Sequence, residues 1–283
     1  MDLSASTPRL RREQVAGMNI HYIMWSLDYF LDVQQRLGFE SIELWCAEPH
    51  VTLDHTGYFE ADKLRRKIES ADSPGAPCAR RTWCIRGSTL PESPPRAAEP
   101  RLLKHGIELA EVLGAPYMSI NSGWGDWDED REKLEALCRA LGDSCGLCRR
   151  ARRDLCMESL RPEESNLVVT LADARRMLDQ VASPHLTPMV DTTAMGVAGE
   201  SLEEWFAEFG DGAIRNMRFI DGDPYGHLVW GDGKHSMDDF VRVLNAHGFE
   251  GYLGQEITDG RYFDDPAAAD RHNMDAFERY FVD

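Results

Sequence analysis

Three carboxylates, each at the end of a short apolar run, carry the chemistry that this sequence can perform. Glu158 follows Cys156-Met157, Asp191 follows Met189-Val190 and Glu256 follows Gly254-Gln255. A fourth, Glu43, sits in Ile42-Glu43-Leu44-Trp45. Oxygen donors of this kind suit a hard divalent cation, and carboxylates can also give and take protons. Glu158, Asp191 and Glu256 therefore read as a hard-metal site with a built-in acid/base pair. Residues so far apart in sequence meet only if the runs are strands whose ends open on one pocket, as in a barrel of βα units.

The elements that would position them are legible from hydrophobic periodicity. Strands are expected at Met18–Ile23, Ser41–Cys46, Thr82–Ile85, Tyr117–Asn121, Leu155–Glu158, Thr187–Asp191, Ile214–Ile220 and Gly251–Glu256. Helices are expected at Ser26–Leu37, Glu60–Ser70, Leu102–Leu113, Asp128–Leu141, Leu171–Val181, Leu202–Phe209, Met237–His247 and Pro266–Tyr280. This alternation predicts an α/β fold, a (β/α)8 TIM barrel spanning residues 15–283 after a flexible N-terminal arm, residues 1–14. The competing doubly wound sheet requires a glycine-rich phosphate turn after the first strand, and Asn19–Trp25 contains no glycine. Two stretches fit poorly. Asp72–Pro100 is rich in Pro, Ser and Gly, and Asp143–Asp154 has few apolar residues where a helix should bury a face.

Composition narrows the partners. The 283 residues carry a net charge of −18, the opposite of the basic footprint that nucleic acid requires. No apolar run reaches the roughly 18 residues of a membrane span, and Met1–Gln14 lacks the apolar core of a signal peptide. Of the seven cysteines, Cys46, Cys84 and Cys156 lie in strand-like contexts and read as buried thiols. Cys145 and Cys148 form a C-x-x-C which, with Cys138 and Cys156, offers a zinc alternative whose outer spacings match no common template. A reducing cytoplasmic compartment is the expectation. The basic cluster Arg149, Arg150, Arg152 and Arg153 reads as solvated surface.

A set of ordered motifs gives a further lead. Met157-Glu158-Ser159-Leu160-Arg161-Pro162-Glu163-Glu164, Asn121-Ser122-Gly123-Trp124-Gly125 and Val190-Asp191-Thr192-Thr193-Ala194-Met195 form one part of it. Asp221-Gly222-Asp223-Pro224-Tyr225-Gly226-His227-Leu228, Trp230-Gly231-Asp232-Gly233 and Gln255-Glu256-Ile257 form the other. Together they resemble the sugar isomerase/epimerase superfamily with the xylose-isomerase-like TIM barrel. The likeness is nearest to its ketose 3-epimerase branch, which includes fructoselysine 3-epimerases, and extends to the α subunits of C-glycoside deglycosidases. The resemblance implies one divalent ion, Mn²⁺, Mg²⁺ or Co²⁺, held by Glu, Asp, His and Glu on strands five to eight. Glu158, Asp191 and Glu256 match three of these positions. It also implies that Glu158 and Glu256 lie on opposite sides of the substrate as catalytic acid/base residues. A ketose or ketose conjugate would then pass through an enediolate.

The expected strand-seven histidine is replaced by Arg218, in Asn216-Met217-Arg218-Phe219-Ile220. A guanidinium is permanently charged and cannot ligate a metal. Three outcomes stay open: a metal held by three carboxylates and water, His227 or Asp221 swinging in, or Arg218 pairing with the carboxylates and displacing the ion. The last would leave an altered or impaired sugar-binding barrel. The resemblance places Glu164 at a position that contacts sugar hydroxyls. His227, in a glycine-flanked loop, could bind a hydroxyl or phosphate or act as an acid/base group. Asn121 joins the substrate-binding candidates, as do Trp45 and Trp124, which could stack on a sugar face or simply pack. His21 and His50 also fall near strand ends. Ala194, three residues past Asp191, argues against the endonuclease branch with its several histidines and three zinc ions. The expected partner is a small sugar, with no nucleic acid and no membrane, and with homo-oligomerisation open. On the alternative reading, a lyase acting on 3-oxo-glycosides, a small β subunit would join the chain.

Overall fold

The computed structural model describes residues 10–51, 53, 60–70, 83–86, 99–123 and 130–282. The strands in chain order are β1 (Val15–Met18), β2 (Ser41–Trp45), β3 (Trp83–Arg86), β4 (Tyr117–Asn121), β5 (Asp154–Glu158), β6 (Leu186–Asp191) and β7 (Asn216–Arg218). A two-stranded hairpin of β8 (Asp221–Asp223) and β9 (Tyr225–Leu228) comes next, and then β10 (Tyr252–Gln255). All strands except the hairpin run parallel and close a barrel in which β1 pairs with both β2 and β10. The helices are α1 (Leu27–Arg36), α2 (Ala61–Ser70), α3 (Glu99–Leu113), α4 (Asp130–Ala151), α5 (Leu171–Val181), α6 (Thr192–Val197), α7 (Leu202–Phe209), α8 (Met237–Ala246) and α9 (Pro266–Phe277).

Local chemistry starts these helices where the sequence says it should. Ser26, Thr170, Ser201 and Ser236 each accept the amide of the residue three positions on, capping α1, α5, α7 and α8. The core lies between the strands and the helix ring, where Leu155, Met157, Val190 and Met217 meet Trp205, Phe206 and Phe277. A second cluster joins Ile42 and Leu44 of β2 to Phe30, Leu31, Leu64 and Ile68 of α1 and α2. Strands buried on both faces are what a barrel wrapped in helices requires. No helix among the described residues is long and apolar enough to cross a membrane.

Four elements differ from the expectation. The first strand is Val15–Met18 rather than Met18–Ile23, because Asn19 turns the chain into a 3-10 turn at Ile20–Tyr22. Helix α4 runs on to Ala151 through the stretch that had seemed too polar. Among its described side chains the buried ones are Ser144, Cys145 and Cys148, small groups that a count of large apolar residues overlooks. Arg149 and Arg150 are exposed, as a solvated face should be. The seventh strand is only three residues long, and the loop after it folds into the β8–β9 hairpin. Leu10–Gln14, expected within a flexible arm, is tied down. Leu10 is buried, bridges Phe281 and exchanges backbone hydrogen bonds with Tyr280 and Val282.

Cys46, Cys145, Cys148 and Cys156 are buried free thiols. Burial raises the pKa of Cys145, and pushes those of Cys148 and Cys156 up to about 12, so these groups are inert protonated packing. Among the described residues, the His, Cys, Asp and Glu donors grouped closely enough for one ion are at the barrel mouth and include none of these cysteines.

Candidate active site

Strand register alone brings the carboxylates together. Asn121 of β4 pairs with Glu158 of β5, and Asp191 of β6 pairs with Arg218 of β7. Arg218 in turn stands beside Gly254 of β10, two residues before Glu256. All of these lie at the C-terminal ends of their strands, the face where a barrel of this type carries its loops. Glu158, Asp191, Arg218 and Glu256 are buried to within 1% of full exclusion from solvent.

Asp191 is held from two sides. One oxygen accepts the amides of Thr193 (2.7 Å) and Ala194 (3.0 Å), capping α6. The other faces Nε2 of His227 at 3.2 Å. Burial alone would raise the pKa of this carboxyl. The neighbouring His227 and the hydrogen bonds from the two amides outweigh burial and pull it down to about 2. Asp191 is therefore a fixed anion.

His227 reaches the site through the hairpin. It lies on β9, is 4% exposed, and its carbonyl accepts the amide of Thr258 just past β10. Its Nδ1 stands 3.5 Å from Oε2 of Glu256. One donor atom from each of Asp191, His227 and Glu256 lies within 4.8 Å of the others, close enough to share a metal ion.

Arg218 turns into the same cluster. Its Nε lies 3.2 Å from Oε1 of Glu158 and 3.1 Å from Oε2 of Glu256. Its Nη1 donates to Oε2 of Glu43 at 2.5 Å and its Nη2 to Oγ of Ser119 at 3.1 Å. The Ser119 hydroxyl in turn donates a hydrogen bond to Oε1 of Glu43 at 3.0 Å. Arg218 thus pairs with carboxylates, and His227 stands beside Asp191 and Glu256. Asp221 is engaged in its own loop. Its carboxylate accepts the amides of Gly222, Gly231, Gly233 and His235, and so staples the loop after β9.

The softer candidates divide. Asn121 is buried, with Oδ1 accepting the amide of Gly123. Its Nδ2 has no hydrogen-bond partner among the described residues, and the same is true of Oε2 of Glu158. Glu164 stands at the rim in a bidentate fork with Arg161, at 2.7 and 3.0 Å. Burial works to raise its pKa, but the Arg161 fork wins and lowers it; Asp191 and His227 are close enough to act on it as well. Trp45 is partly buried at the end of β2, its amide and carbonyl both bonded to the Asn19 side chain. Trp124 lies outside the described residues.

His21 and His50 are bonded to groups other than the four carboxylates. His21 is fully buried against Asp270 at 2.9 Å. His50 uses both ring nitrogens, on Asn19 and on the Trp25 carbonyl. Sequence reasoning missed the Arg218–Glu43–Ser119 partnership, although Glu43, a carboxylate inside a strand, was its visible signal.

Comparison with known proteins agrees with this architecture. The family profile described as xylose isomerase-like TIM barrel matches residues 31–280. Fructoselysine 3-epimerase of Shigella flexneri is 26% identical over 255 residues, covering 85% of this chain and 88% of that protein. The apo structure of an Escherichia coli 3-keto-D-glucoside 4-epimerase superimposes with a TM-score of 0.72 at 16% identity, over 93% of this chain and 98% of that one. D-Psicose 3-epimerase of Clostridium cellulolyticum H10, solved with D-tagatose, gives a TM-score of 0.70 at 15% identity, over 94% and 98% of the two chains.

Proposed function

The chain belongs to the xylose isomerase-like TIM barrel family, and from that premise we propose that it is a metal-dependent epimerase of a ketose or ketose conjugate. The observation that carries the reading is the convergence of Glu158, Asp191, His227 and Glu256 in one buried cluster at the strand ends. The fructoselysine 3-epimerase likeness over most of the chain supports a substrate with a free or conjugated ketose head.

The donor set fits a divalent cation. Three buried carboxylates, Glu43, Glu158 and Glu256, face one guanidinium, and a fourth, Asp191, faces His227; uncompensated buried charge is costly. Asp191, His227 and Glu256 would hold the ion, and the imidazole in that set favours Mn²⁺ or Co²⁺ over Mg²⁺. A bound cation supplies Lewis acidity towards the adjacent carbonyl and hydroxyl oxygens of an open-chain sugar.

The chain's own groups do the rest. Glu158 and Glu256 flank the bound sugar; one takes the proton from the carbon beside the carbonyl and the other returns one to the opposite face. The electron pair left behind rests in an enediolate, so the carbon inverts without any redox change. Asn121 offers its Nδ2 donor to a sugar oxygen, and Glu164 at the rim accepts a hydroxyl. Burial of the cluster keeps bulk water from the intermediate.

The test is incubation of Mn²⁺-loaded protein with ketoses and with fructosamine conjugates in D₂O, followed by proton NMR. Loss of the signal from the proton beside the carbonyl, together with appearance of the epimer, is the expected result. A panel on which no ketose or conjugate exchanges that proton overturns the reading.

A further inference from the structure

Glu158 and Glu256 are not equivalent, and Arg218 is what makes them differ. Glu256 stands within the group of donors that could share an ion; Glu158 stands outside it. Both meet the same Nε of Arg218, at 3.1 and 3.2 Å. A cation bridging these two carboxylates would therefore sit against a guanidinium that cannot lose its charge. A cation on the Asp191–His227 side of Glu256 keeps that positive charge at its back.

The guanidinium is also unable to swing away. It is fully buried, and its two terminal nitrogens are anchored on Glu43 and Ser119. Glycine at position 254 makes room for the arrangement. A Cβ there would stand 2.7 Å from Oε2 of Glu43 and 3.1 Å from Nη1 of Arg218. Glu43, which no step of the reaction requires, is thereby explained as the counter-ion that fixes Arg218.

We propose that Arg218 keeps Glu158 out of the cation's ligand set and holds it as a dedicated proton carrier, with the ion seated on Asp191, His227 and Glu256 alone. The inference rests on the metal-dependent epimerase reading. Arg218 is a positioning residue: Oε1 of Glu158 is tethered to it, and Oε2, buried without a hydrogen-bond partner among the described residues, takes the proton. In that step the C–H bond breaks, the proton passes to Oε2, and the electron pair stays on the sugar as the enediolate. Asn121, the register neighbour of Glu158, supplies a buried donor on the same side of the site.

The experiment is Co²⁺ titration of the full chain by calorimetry, with the visible absorption of the bound ion recorded alongside. Glu158→Gln should keep Co²⁺ affinity within about threefold and leave the spectrum unchanged, while proton exchange falls by at least about 100-fold. Asp191→Asn should weaken Co²⁺ by at least about tenfold. Arg218→Met should release Glu158 to the ion and change the spectrum, and the double variant Arg218→Met/Glu158→Gln should restore it. A merely structural arginine would not give that restoration. If Arg218→Met does not fold, the comparison of Glu158→Gln with Asp191→Asn decides alone. Glu158→Gln weakening Co²⁺ as much as Asp191→Asn overturns the inference and leaves the epimerase reading standing. Wild-type protein that binds no Co²⁺ overturns both.

Discussion

Glu256 is the residue on which the site turns, because it meets Arg218 at 3.1 Å and His227 at 3.5 Å through the same oxygen. Replacing it with glutamine keeps one oxygen but removes the capacity to accept a proton at working pH. Glu256→Gln should therefore cut exchange of the proton beside the carbonyl by about 10²–10⁴-fold, measured by NMR in D₂O, while far-UV circular dichroism stays unchanged. Turnover near that of the unaltered protein would show that Glu256 only holds Arg218 and His227 in place. The three carboxylates were legible in sequence because each ends an apolar run, and a barrel sends such ends to one place. The approach of His227 to Asp191 was legible only as one of several alternatives. The two are joined by the β8–β9 hairpin, whose Asp-Gly-Asp-Pro-Tyr-Gly-His run has no apolar alternation to betray a strand. The direction taken by Arg218 was open for a related reason. Its strand position was readable, but its fixed anchor, Glu43, comes from β2, 175 residues earlier.

At the scale of elements, the site depends on close approaches between strands and on polar staples between helices. Gly254→Ala places a methyl group against Glu43 and Arg218, both fully buried and neither free to retreat. Overpacking of this kind costs about 1–3 kcal/mol. A lowered urea midpoint with an unchanged slope is the expected result, and wild-type stability would mean that the Arg218–Glu43 pair can shift. Asp270 of α9 does comparable work outside the barrel. It accepts from the Tyr22 hydroxyl at 2.6 Å and from the Gln34 amide at 2.5 Å, and it faces Nε2 of His21 at 2.9 Å, joining the exit of β1 to α1 and α9. Asp270→Ala strands these buried groups, each at about 1–3 kcal/mol, so unfolding free energy should fall by at least about 3 kcal/mol. A loss below about 1 kcal/mol would show that water or a neighbouring group replaces the carboxylate. Helices with a large apolar period and a Ser or Thr cap were readable nearly to the residue, as α5 and α7 show. Helix α4 was cut short in the reading because the buried groups described in its last turns are thiols and a serine. The first strand was placed late because Tyr22, although apolar and buried, belongs to a turn.

For the molecule as a whole, charge is the unbalanced quantity. The chain carries −18 overall, and the barrel mouth concentrates four buried carboxylates around Arg218 and His227. Their mutual repulsion weakens the native state, and it arises only where the fold holds the groups together. A cation that binds there binds the folded chain and not the unfolded one, so it must stabilise the barrel by mass action. At a free concentration of 100 times its dissociation constant the gain is about 2.7 kcal/mol. For chains approaching this size each kcal/mol moves the melting temperature by about 2–4 °C, so Mn²⁺ or Co²⁺ should raise it by about 5–10 °C over protein treated with a chelator. The measurement belongs at about 0.15 M salt, where the exposed acidic surface is screened beyond roughly 8 Å and nonspecific cation binding contributes little. Asp191→Asn should lose most of the shift. Asp239→Asn, on the exposed first turn of α8, should keep it. A shift that survives Asp191→Asn would place the ion on the acidic surface instead of the barrel mouth, and would remove the physical reason for four carboxylates to be buried together.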